Sequence, residues 1–158
     1  MRRLVSLLLL VGVAGCGGVP PELIGAWVGP TTLSMGGLSV LLDSQALVTE
    51  GSGGLEVVAS GSESGAPASG KVLLTCRIGA KVTSSGFEVT NGTCDVEGAP
   101  LRCDDGSQRP PLASVSRLTA VRSGTSLAVN TSGVLTNPCP GSTYPPAPFT
   151  LQSNLTKR

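Results

Sequence analysis

The chain has 158 residues, no histidine, and 11 basic against 10 acidic side chains, for a formal charge of +1. That length suits one domain, and balanced charge with only 3% aromatic residues excludes a basic, base-stacking surface for nucleic acid. Apolar residues reach 40%, but with one Trp, one Tyr and two Phe the core has to come from Val, Leu, Ile and Ala, while 22 Gly and 12 Pro imply many turns.

Residues 1–15 have the layout of a secretory leader. Arg2 and Arg3 come first, then an apolar run from Leu4 to Val13, then the small residues Ala14 and Gly15. The run is too short for a membrane-spanning helix, which takes roughly 20 residues. Val13-Ala14-Gly15-Cys16 resembles the bacterial lipobox: an aliphatic residue and two small ones before an obligatory cysteine. The resemblance implies removal of the leader, acylation of Cys16 (palmitate being one such acyl group) and lipid anchoring in the bacterial cell envelope. Gly17 rather than Asp comes next, which by resemblance to known lipoprotein sorting implies the outer membrane. The competing reading is an ordinary secretory leader with an incidental cysteine. Residues 16–22 then read as a lipidated tether and residues 23–158 as a single β-barrel domain.

Along that domain, Leu23 to Val28 reads as the first strand. In residues 33–49, Leu33, Leu38, Val40, Leu41, Leu42, Leu47 and Val48 suit either two short strands or one helical turn. Leu55 to Ala59 reads as a further strand and residues 61–70 as a small, polar loop. Val72, Leu74, Cys76, Ile78, Ala80 and Val82 then alternate and share one strand face. Ser84-Ser85-Gly86 is a turn signal, which sets Phe87 opposite Val82 and Val89 opposite Ala80. A bulge near Asn91-Gly92 keeps Cys94 and Val96 on that face. A second hairpin turns at Ser123-Gly124, with Ala120 opposite Leu127 and Leu118 opposite Val129. Leu127, Val129, Thr131, Gly133 and Leu135 carry that face onward. After a Pro-rich loop at 137–147, Phe149, Leu151, Ser153 and Leu155 alternate in a last strand. About eight strands joined to sequence neighbours predict an all-β fold, either an up-and-down antiparallel barrel or a curled meander.

Gly25-Ala26-Trp27 resembles the G-x-W motif that opens lipocalins and related small β-barrels. The resemblance implies that Trp27 plugs one barrel end beneath a basic side chain from the last strand, here Lys157 or Arg158. The second and third lipocalin motifs and that family's C-terminal helix have no counterpart in this sequence. Glu22-Leu23-Ile24-Gly25-Ala26-Trp27-Val28 also resembles the start of small periplasmic barrels that inhibit metalloproteases.

With Cys16 set aside for lipid, Cys76, Cys94, Cys103 and Cys139 remain. An even number in an exported chain reads as two disulfides. Wide spacing, no C-x-x-C pair and no histidine argue against a metal site. In a meander all four cysteines gather at the end opposite the 84–86 turn. Of three possible pairings, strand depth favours Cys76–Cys94 with Cys103–Cys139. The runner-up, Cys94–Cys103 with Cys76–Cys139, requires a turn at Gly98-Ala99. Either set staples the barrel end, each bridge contributing about 2–4 kcal/mol.

Other candidates for chemistry have plainer readings. The stretch from Gly65 to Val72 nearly spells a phosphate-binding loop, but Val72 replaces the Mg²⁺-binding hydroxyl and a strand follows. A serine nucleophile lacks a histidine base; Lys71 and Lys81 are the only lysines in the middle of the chain. Asp95 and Glu97 share a strand face, where they read as solvated charges before they read as a catalytic carboxylate pair. Asp104-Asp105-Gly106 is first a turn signal and only then a calcium ligand set. The sequons at Asn91, Asn130 and Asn154 read as chance matches in a Thr-rich β protein. These residues predict no catalytic site and no cofactor.

The expectation is therefore a non-enzymatic, membrane-anchored lipoprotein whose disulfide-stapled barrel binds a small apolar ligand or a partner protein of the envelope. The alternatives are a protease-inhibitor-like barrel and, more remotely, a hydrolase with an atypical site. Mass spectrometry of the membrane fraction should find a mature chain beginning at acylated Cys16, and Cys16→Ser should leave the leader attached. A soluble mature chain starting elsewhere would refute the lipobox reading.

Overall fold

The computed structural model describes residues 19–65, 73–97, 100–143 and 145–158. The leader, Cys16, most of the 65–72 loop with Lys71, and Gly98-Ala99 lie outside the described residues. The strands are β1 (Gly25–Met35), β2 (Leu38–Gly51), β3 (Gly54–Glu63), β4 (Leu73–Val82), β5 (Gly86–Glu97), β6 (Leu101–Arg102), β7 (Gln108–Arg109), β8 (Leu112–Ser123), β9 (Ser126–Thr136) and β10 (Ala147–Lys157). Eight of them close into a barrel in the order β1-β10-β9-β8-β5-β4-β3-β2, and β6 and β7 form a small ribbon between β5 and β8. Every pairing is antiparallel. The fold is thus an all-β, closed up-and-down barrel rather than an open curled meander, and no helix occurs among the described residues.

Period-2 alternation places one row of each strand inside. Leu42, Ala46 and Val48 of β2 are buried, as are Leu55 and Val57 of β3 and Cys76, Ile78 and Ala80 of β4. Phe87, Leu118, Leu127, Leu151 and Leu155 complete the far wall. At one end lie the β2–β3, β4–β5 and β8–β9 turns, with residues 19–24 packed beside them through Val19 and Leu23. The β1–β2 turn and the long connections lie at the other.

Several local expectations shift. The first strand begins at Gly25 and runs to Met35, and residues 33–49 form two strands joined at Gly36-Gly37, not a helical turn. Strand β3 continues through Glu63, so the loop begins later than residue 61. In β4–β5 the pairs Val82↔Phe87, Ala80↔Val89 and Cys76↔Cys94 hold, and the bulge leaves Thr90 as the extra residue. The 123–126 hairpin turns one residue later than expected: Ser123 pairs with Ser126, Ala120 with Val129 and Leu118 with Thr131. Gly124 has φ +59°, and among the described residues no non-Gly residue has positive φ. That is the sign pattern of a type II′ turn, with glycine first of the two central residues. Moving the turn by one residue slides the pairing by two, so the inward faces are unchanged.

Gly133 marks where wall and filling meet. A Cβ there would run into the Ser114 carbonyl oxygen and lie 2.5 Å from Phe149 Cζ. Gly133→Ala should therefore lower unfolding stability by about 1–3 kcal/mol. The neighbouring outer-face change Ser132→Ala should stay within about 0.5 kcal/mol. Denaturant unfolding of both variants reads the difference.

Candidate functional site

Trp27 is completely buried at the end that carries the short turns. A buried indole must satisfy its N–H, and Trp27 Nε1 donates to the Leu23 carbonyl at 3.0 Å. Lys157 pairs with Trp27 across β1 and β10 and brings Nζ to 5.6 Å from the ring centroid. The ammonium also donates to the Glu22 carbonyl at 2.9 Å and to Pro21 O at 3.4 Å. Arg122 reaches Glu22 at 3.4 Å from the neighbouring β8–β9 hairpin. One tryptophan, one lysine and residues 19–24 thus form a sealed cap. Of the two basic residues expected over the ring, Lys157 occupies the place. Arg158 instead donates its backbone N–H to Ala26 O.

Beyond the plug, a layer of hydroxyls interrupts the apolar interior. Thr31 Oγ1 donates to Ser153 Oγ at 2.7 Å, and Ser44 and Thr131 line the same small space of about 70 Å³. Past this layer the interior opens into a cavity of about 550 Å³ at the far end. Leu33, Met35, Val40, Leu42, Leu74, Val96, Ala113, Leu135 and Phe149 supply its apolar wall, with Leu101, Pro111 and Pro145 from the connections. Thr136 and Asn137 are neutral polar groups at its edge, and Glu63 is its one charged lining residue among the described residues.

The cysteines frame this cavity. Cys76 is joined to Cys94 directly across β4 and β5, with both side chains buried inside the barrel. Cys103 is joined to Cys139, tying the β5–β8 connection to the β9–β10 connection. Those two connections contribute Leu101, Pro111, Asn137 and Pro145 to the cavity wall. The four cysteines do not come together as a metal site, and no cluster of metal-ligand side chains exists among the described residues.

The remaining candidates sit on the outer surface. Asp95 pairs with Arg77 at 3.1 Å, both exposed, and Glu97 is exposed as well. Lys81 pairs with Glu88 at 2.8 Å. The hydrogen bond and charge of Glu88 raise the Lys81 pKa. Asp105 accepts from the Ser107 hydroxyl and backbone N–H, which hold its pKa below the ordinary carboxylate range. With Arg109 at 3.3 Å, it closes the β6–β7 turn. Asn91, Asn130 and Asn154 are all exposed.

Sequence reasoning missed Glu63 and the hydroxyl layer. Both carried a signal: Glu63 continues the inward row Leu55, Val57, Ala59, Gly61, and Thr31, Ser44, Thr131 and Ser153 occupy inward positions of their strands. An eight-stranded barrel plugged by a lysine-capped tryptophan and hollow at its other end is lipocalin-like in architecture. No protein-family model matches the chain, and neither curated proteins nor solved structures give a match.

Trp27→Ala should cost roughly 3–5 kcal/mol, a large part of a domain stability of about 5–15 kcal/mol. Denaturant unfolding followed by far-UV circular dichroism checks this. A variant of unchanged stability that loses ligand or partner binding would move Trp27 from plug to functional surface.

Proposed function

We propose that this is a non-enzymatic, lipid-anchored envelope protein that holds a small apolar ligand in the cavity at the far end of its barrel. The observation that carries this reading is the cavity itself. Its volume, about 550 Å³, lies within the range of small-molecule sites, about 300–1,000 Å³. Apolar walls with few polar groups are the composition such sites use. Filling them with an apolar ligand removes hydrocarbon surface from water, at about 25 cal/mol per Å².

The anchoring part rests on the leader and on Cys16. The non-enzymatic part rests on the absence of histidine from the chain and on the engagement of Lys81 and Asp95 with outer-face partners. The protease-inhibitor alternative acts through the N-terminal tether or a loop. It draws less support, because Val19 and Leu23 pack against the barrel and Lys157 holds the Pro21 and Glu22 carbonyls.

The test uses the full chain with Cys16→Ser, so that no acyl group competes for the cavity. The neutral fluorophore N-phenylnaphthylamine should bind with enhanced emission. Val96→Trp, which fills the cavity from β5, should weaken binding by about tenfold or more, as loss of most of the apolar contact predicts. Its far-UV circular dichroism should not change. Equal binding by both proteins would show that the probe sits elsewhere.

A further inference from the structure

Glu63 stands at the end of β3, on the inward row, half-buried against an apolar wall. Among the described residues it has neither an ion-pair partner nor a hydrogen-bond partner. Among the described residues no lysine or arginine lines the cavity, and the neutral Asn137 has its Oδ1 occupied by the Cys139 backbone N–H at 2.9 Å. The described lining therefore offers an incoming polar head one strong acceptor, Glu63, and no cationic donor. A carboxylate or phosphate head would lose its water beside a like charge, which is costly in surroundings of low dielectric. An ammonium head would gain a charge-assisted hydrogen bond with its carboxylate partner.

Building on the ligand-binding reading above, we propose that the ligand is a cationic amphiphile: a hydrocarbon chain seated against Leu42, Leu74, Val96 and Phe149, with an amine or ammonium head at Glu63. Charge complementarity selects this class over fatty acids and other anionic lipids, which would suit the same walls but not the same acid.

Calorimetric titration of the full chain with Cys16→Ser tests this, using dodecylamine, dodecanol and dodecanoate below their micellar concentrations. Dodecylamine should bind at least about tenfold tighter than dodecanoate, with dodecanol between them. Glu63→Gln should bring the three together. Glu56→Gln, which removes the same charge from the outer face, should preserve the order. Dodecanoate binding as well as dodecylamine, or an order that survives Glu63→Gln, overturns the role of Glu63 and leaves the cavity reading standing. Failure of all three to bind overturns both.

Discussion

The structure depends on how a chain with so few aromatic residues fills the inside of an eight-stranded barrel. Such a barrel is just wide enough to be packed by side chains or to hold one small ligand. Here the choice is made end by end. Trp27 and Phe87 both lie at the end with the short turns and pack it solid. At the other end Phe149 is the aromatic that reaches the interior among the described residues, beside Leu, Val and Ala, and the space stays open. The plug needs one more element: its indole N–H must find an acceptor away from water. Leu23 provides it because residues 19–24 fold back across the end, under the hold of Lys157.

The hollow end is defended differently. Its walls are strands, but its rim is irregular chain, which a small core cannot hold by packing alone. The Cys103–Cys139 bridge ties together the two connections that contribute Leu101, Pro111, Asn137 and Pro145 to the cavity, and Asp105 with Ser107 and Arg109 tightens the ribbon beside it. The inner bridge, Cys76–Cys94, serves the wall rather than the rim. It faces inward and occupies volume that a larger apolar residue would otherwise have to fill. Charges on the outer face are exposed ion pairs of the kind that contribute little to stability, so burial and cross-linking carry the fold.

Much of this was legible in the sequence because period-2 alternation is strong where one face is buried. The rows from Leu74 to Val82 and from Leu127 to Leu135 gave strand identity and inward face together. The depth of Cys76 and Cys94 from their turn set them side by side. The 123–126 turn was misplaced by one residue because Ser-Gly and Gly-Thr are both acceptable turn dipeptides, and only the positive φ of Gly124 decides which glycine position is used. Glu63 was hidden for a different reason. Small and polar residues around Gly61 look like loop, so the parity that aims the carboxylate inward was not read. A cavity is also a property of summed volumes, which no local pattern reports.

The meander has a kinetic consequence. Seven of the eight barrel seams join strands that follow one another along the wall; the eighth, β1 with β10, brings Trp27 against Lys157 across almost the whole domain. Closing so long a loop is the entropically slow event in a fold otherwise made of short-range pairings. The tryptophan cannot be capped, nor the edges of β1 and β10 hidden from other chains, until the last strand arrives. A chain in which β1 and β10 are not yet paired therefore carries two open sheet edges. Pairing of the eleven-residue β10 with β1 closes both. Any process that holds back the C-terminus keeps the molecule open and sticky.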